Sequence, residues 1–353
     1  MPNKNKTFFE ILFIFFYVLL FGFLFRDTIH LENIDYDIYS KISNKNIPKG
    51  SVYYDPQYNL IYFLYFIVEN IKIELSVLIK FLWFIEKILL IFSISLICKL
   101  ILKTDTIFIT ILLLLPFLRS GEFDQKTFCL SLQLLSIFYF LNKKFILSSF
   151  FLSLVFYIHV GMGVWWFLPS IFAFLYLILK KVEGYSLIKF LNYLFFVSIF
   201  ITPLLYIYFF YIDIYSTINT PQVLEFWLGI NNSFYYYILN KNINDVFFII
   251  ANFIFFIFSI YILKNQIKCN LNILISIPIG TLVIFFLNEI VILYNQNTIL
   301  LKLQILRAHS ILFYFNLIFI SLILFNQMKK KNYIFFIIFI LLLIPNPVYL
   351  IFR

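Results

Sequence analysis

The chain has 353 residues, 63% of them hydrophobic and only 12% charged, with a net charge of +10. Its mean hydropathy is +0.97. A soluble domain dresses its surface with about 25% charged residues, so these figures exclude one. The positive charge does not point to nucleic acid, because the lysines sit in short loops between apolar runs, where a membrane protein places them. Fifty Phe and twenty-five Tyr beside abundant Ile, Asn and Lys suggest a composition bias, and much of this aromatic excess reads as lipid-facing filler.

A bilayer-crossing helix needs about 20 apolar residues, and the apolar runs predict an all-α, polytopic transmembrane protein of about 10–11 spans. In chain order the spans fall at 8–25, 75–98, 105–118, 127–141, 145–160, 164–180, 187–212, 246–263, 270–288, 308–327 and 332–351. The first follows MPNKNK and has no small-residue cleavage site, so it reads as an uncleaved span rather than a signal peptide. The third, fourth and fifth are short enough to be broken or strongly tilted. The whole chain, 1–353, reads as a single membrane domain with long outer loops at 26–57 and 213–245. A short apolar helix at 58–70 reads as re-entrant or interfacial, and another around 224–237 as an aromatic anchor at headgroup depth.

Loop charge sets the expected orientation. Lys4 and Lys6, Lys99 and Lys103, Lys143 and Lys144, Lys180, Lys181 and Lys189, Lys264 and Lys268, and Lys329 to Lys331 fall in alternate loops. The intervening loops carry Asp27, Glu32, Asp35, Asp37, Asp55, Glu122, Asp124, Asp213, Glu225, Asp245 and Glu289. The positive-inside rule then puts the N-terminus in the cytoplasm and the acidic loops outside.

Candidate chemistry gathers on that outer side. The first outer loop carries Asp35 and Asp37 around Tyr36, then Tyr39 and Tyr53. A carboxylate there can serve as a general base or hold a divalent cation against a phosphate, or it can simply be a solvated loop charge. The stretch PFLRSGEFDQK brings Arg119, Glu122 and Asp124 to one helix junction. His159, in FYIHVGMGVWW, reads either as a hydrogen-bonding or proton-shuttling imidazole or as a capping residue in a tight turn. Arg307 and His309 stand at the outer start of the tenth span, where Arg307 offers a planar fork for phosphate or snorkels to the interface. Cys98, Cys129 and Cys269 show no metal or redox spacing.

The run Asp35, Tyr36, Tyr39, Gly50, Tyr53, Pro56, followed by Pro116, Glu122 and Asp124, resembles the first-loop and second acidic motifs of GT-C membrane glycosyltransferases. The segment from Arg119 through His159 is also similar to EpsG and Wzy-type polysaccharide polymerases. The resemblance covers mainly the first 180 residues, without the large C-terminal soluble domain of many GT-C enzymes or a clean pair of first-loop acids. It implies sugar transfer from a polyprenyl-phosphate-linked donor at the outer face of a bacterial cytoplasmic (inner) membrane, in surface polysaccharide assembly. Asp35 or Asp37 would act as base, with His159 joining the catalytic set. Arg119, Glu122, Asp124, Arg307, His309, Tyr39 and Tyr53 would bind substrate, with room for a divalent cation (Mg or Mn). Membrane lipid, the lipid-linked donor and other glycan-assembly proteins are the implied partners. A lipid or solute transporter or flippase is the competing expectation, ranked lower because the charges cluster at one face and no two-fold repeat is visible.

Overall fold

The computed structural model describes residues 59–118, 122–211, 243–295 and 308–330, with 16, 18, 29–31, 36, 39–40 and 43. Within them the chain is a polytopic bundle of membrane helices. A short helix, α1 (Asn59–Ile71), precedes α2 (Leu75–Ile101), the longest. Then come α3 (Ile107–Leu118), α4 (Gln125–Leu141), α5 (Phe145–Ile158), α6 (Val160–Leu179) and α7 (Leu187–Tyr211). Beyond residues 212–242, which lie outside the described set, follow α8 (Ile243–Leu263), α9 (Leu271–Asn295) and α10 (Ser310–Lys329). Six of these are long and apolar enough to cross a membrane. Of the expected first span only residues 16 and 18 are described, both helical, and the last span and the helix near 224–237 lie outside the described residues.

The three short spans are short in fact: α3 has 12 residues, α4 17 and α5 14. At about 1.5 Å per residue α5 reaches about 21 Å, less than the roughly 30 Å hydrocarbon layer. Burial within protein resolves the mismatch for α4, because every residue from Cys129 to Ile137 is buried. Its Ser131, Gln133 and Ser136 are buried along with the apolar side chains. The opposite case is α7, where Ile188, Leu191, Phe195 and Ile199 stay exposed at helical spacing and form a lipid-facing stripe.

Apolar packing gains little inside a lipid solvent, so helix contacts rely on close approach and polar bridges. Ser136 of α4 and Ser148 of α5 each donate to the other's carbonyl at 2.9 Å. Ser149 donates to the Tyr193 carbonyl of α7, and the Ser170 and Tyr193 hydroxyls meet at 2.9 Å. Where α6 crosses α9, Gly280 lies against the backbone of Pro169, and a Cβ there would collide with the Pro169 carbonyl oxygen. Gly280→Val is therefore expected to cost about 1–3 kcal/mol, read as a lowered unfolding midpoint in detergent.

The basic loops meet at one end. Leu102 bridges Ile267, Lys103 Nζ donates to the Asn265 carbonyl at 2.8 Å, and Lys268 Nζ donates to that of Lys99 at 3.3 Å. Asn326, near the end of α10, donates to Gln266 at 3.0 Å. The stem of Lys143 runs beside Gly184, whose φ of +89° needs a residue without Cβ. Burial pushes the Cys269 thiol in this layer up to about 11. Its reactive thiolate then forms only as pH climbs toward that value. At pH 8 its alkylation should run about 10²-fold slower than that of an ordinary thiol, as mass labelling across a pH series would show.

Candidate functional site

At the opposite end, the acidic α3–α4 junction is tied to the segment around His30 by a two-stranded parallel pairing. β1 (His30–Leu31) runs beside β2 (Glu122–Phe123), with His30 opposite Glu122 and Leu31 opposite Phe123. The pairing rests on an apolar cluster of Leu31, Tyr39, Ile61, Leu64, Ile79, Trp83 and Phe123, with Ile158 packed against it. Phe123 and Ile158 directly precede Asp124 and His159, so one cluster draws Tyr39, Asp124 and His159 to a common layer.

Each of these three has a definite local environment. Tyr39 is buried with its ring 6.3 Å from that of Tyr65, and burial, then the Glu69 carboxylate, raises its phenol above the usual value. Asp124 caps α4: one carboxylate oxygen accepts from the Lys126 N–H at 2.9 Å, the other from the Thr127 hydroxyl at 3.0 Å. His159 is buried and caps α6, its Nδ1 accepting from the Met162 N–H at 3.2 Å. Because Nδ1 accepts, the ring proton belongs on Nε2. The capping role weighed for this histidine is therefore present in the fold.

The same layer reaches α10, whose Tyr314 lies within electrostatic range of Asp124. His309 is half-buried immediately before α10, and its imidazole does not cap the helix. Glu122 is placed by β2 opposite His30. Asp35, Asp37, Tyr53, Arg119 and Arg307 lie outside the described residues. Among the described residues no three His, Cys, Asp or Glu side chains converge, and these alone do not make a divalent-cation site.

An Asp cap can be separated from an Asp charge by substitution. Asp124→Ala should cost about 1 kcal/mol through loss of the cap, while Asp124→Asn, whose one amide oxygen still accepts from the Lys126 N–H, should lose less. Thermal unfolding of the two variants side by side reads the difference.

Beneath this layer lies a pair that the loop-by-loop reading passed over. Glu86 and Lys87 stand inside α2, both buried, and Lys87 Nζ donates to Glu86 Oε1 at 2.7 Å. The same ammonium sits 5.7 Å from the Trp83 ring centroid. Asp124 and Tyr314 fall within electrostatic range of Glu86. The signal was present in FLWFIEKILLIF, where adjacent opposite charges interrupt an apolar run. Ionisable groups in a span mark functional positions more often than structural ones. This pair adds ionisable groups inside a span to the candidate chemistry expected in the loops.

Fold and site together define a polytopic α-helical membrane protein with a polar layer at one end and an ion pair below it. Compared with protein-family models, curated proteins and solved structures, the chain matches none.

Proposed function

We propose that the chain is a membrane glycosyltransferase of surface polysaccharide assembly, taking sugar from a polyprenyl-phosphate-linked donor on the non-cytoplasmic side, with its N-terminus in the cytoplasm. The supporting observation is the β1–β2 pairing, which docks the first outer loop on the Glu122–Asp124 junction. These are the two segments that carry the resemblance to GT-C enzymes. Transfer at such a layer needs a base beside the acceptor hydroxyl and charge stabilisation of the departing phosphate. Asp35 or Asp37 supplies the base in this reading, and Arg119 and Arg307 neutralise the phosphate. Asp124 and His159, both fixed by capping, orient the donor.

The test is surface glycan in the native host carrying Asp35→Asn, Asp37→Asn or Arg307→Ala at unchanged protein level. Loss of glycan by about 10²-fold or more in at least the Arg307 variant and one Asp variant is expected. Normal glycan in all three would rule the reading out. Accumulation of single repeat units instead of a complete loss would move it to the polymerase version. A transporter or flippase is the second reading, favoured by the Glu86–Lys87 pair within α2, since transporters keep ionisable groups inside their spans.

A further inference from the structure

Glu86 is fully buried, and only one of its two carboxyl oxygens is served: Oε1 takes the Lys87 ammonium, while Oε2 has no hydrogen-bond partner among the described residues. A buried carboxylate with a bare oxygen is costly, since an ion pair offsets desolvation only when its remaining lone pairs are also satisfied. The surrounding charges do not supply the missing partner. On α2 the neighbouring cation is Lys87, already engaged. The β2–α4 junction contributes Asp124, whose carboxylate is a second acid and whose backbone is the least of the groups favouring the Glu86 charge, and α10 contributes the Tyr314 phenol. Helix α3, packed on α2, carries no charged residue, and Glu69 of α1 is exposed. Asp124 is served by the N-terminus of α4 through Lys126 and Thr127, so the unmet demand falls on Glu86.

We propose that Glu86 Oε2 is the seat of a single positive charge, a proton or an alkali-metal ion, bound within the membrane beneath the β1–β2 pairing. One buried ammonium serves Glu86 while the Asp124 carboxylate lies within electrostatic range of that acid, and one further positive charge balances the group. When Oε2 takes it, Lys87 loses its claim on Glu86, and the Trp83 ring, 5.7 Å away, remains beside the ammonium. Occupancy of the site thereby changes the field at Asp124 in the layer above. The inference does not rest on glycan transfer, and its readouts are independent of that activity.

The experiment uses the purified full-length protein in lipid nanodiscs. Infrared spectra are recorded between about pH 5 and pH 9, a window that brackets ordinary and strongly perturbed carboxyl groups. A bound proton appears as a protonated carboxylic-acid carbonyl band that shifts on deuteration and is missing from Glu86→Gln. A bound metal ion appears as a higher unfolding midpoint in sodium or potassium chloride than in choline chloride, again missing from Glu86→Gln. Should Glu86→Gln fail to fold, Lys87→Gln replaces it, and the band or the salt effect should strengthen because the competing ammonium is gone. The proposal is overturned if Glu86→Gln folds and removes no acid band, and the midpoint is the same in all three salts. The same silence in Lys87→Gln overturns it where only that variant folds.

Discussion

Removing the Lys87 ammonium while Glu86 remains, as in Lys87→Met, will destabilise the protein by about 3–5 kcal/mol. The two groups are almost fully excluded from solvent and sit 2.7 Å apart, so the loss leaves a buried acid with neither of its oxygens paired by Lys87. The double variant Glu86→Leu/Lys87→Leu should behave differently. It removes both desolvation costs and refills the volume with apolar atoms, and replacing such a pair is commonly neutral or stabilising by about 1–4 kcal/mol. Reversible unfolding in mixed micelles measures the three proteins. A Lys87→Met variant within about 1 kcal/mol of the parent would mean the pair is solvated in the membrane and not buried as the packing requires. A folded and stable double variant that has lost function would assign the pair to activity, since stability alone does not require it.

The helices were largely legible because membrane insertion writes them in plain composition. The expected span at 145–160 is α5, Phe145–Ile158, and that at 270–288 is the core of α9, Leu271–Asn295. Loop charge was equally informative: Lys99, Lys103, Lys264 and Lys268 were grouped by sign alone, and their loops are hydrogen-bonded to each other. The β1–β2 pairing was not legible, because two residues carry no period and their partners are 92 positions apart in sequence. The Glu86–Lys87 pair was missed for another reason. Counting charges by loop ignores those within a span, although these are the ones whose burial has a price. The capping of α4 by Asp124 follows a familiar pattern, an acid followed by three residues that open a helix, yet the same acid also served the resemblance to a catalytic motif. Local sequence could not separate those roles, and Asp124→Asn does so only because Asn keeps the cap without the charge.

The second large effect concerns the docking of the first outer loop. Phe123 is fully buried between Leu31 of β1 and Trp83 of α2, and its ring also meets Phe128 at 6.1 Å. Phe123→Ala removes the side chain that joins loop, junction and helix, at an expected cost of about 3–5 kcal/mol. That cost should be local. The interior around Phe140, Trp166, Phe174 and Tyr193 belongs to a separate cluster that Phe123 does not enter. The expected outcome is faster proteolysis within residues 26–57 with the global unfolding midpoint nearly unchanged. On the proposed reading, surface glycan should fall as steeply as in the Arg307→Ala variant, because the segment that carries the first-loop acids would lose its anchor at the β1–β2 pairing. Phe123→Leu keeps most of the apolar contact and should restore both protection and glycan in large part. Unchanged proteolysis in Phe123→Ala would show that the loop is held by contacts outside this cluster. Undocking with normal glycan would separate the loop from the chemistry and move the working site down to Glu86 and Lys87.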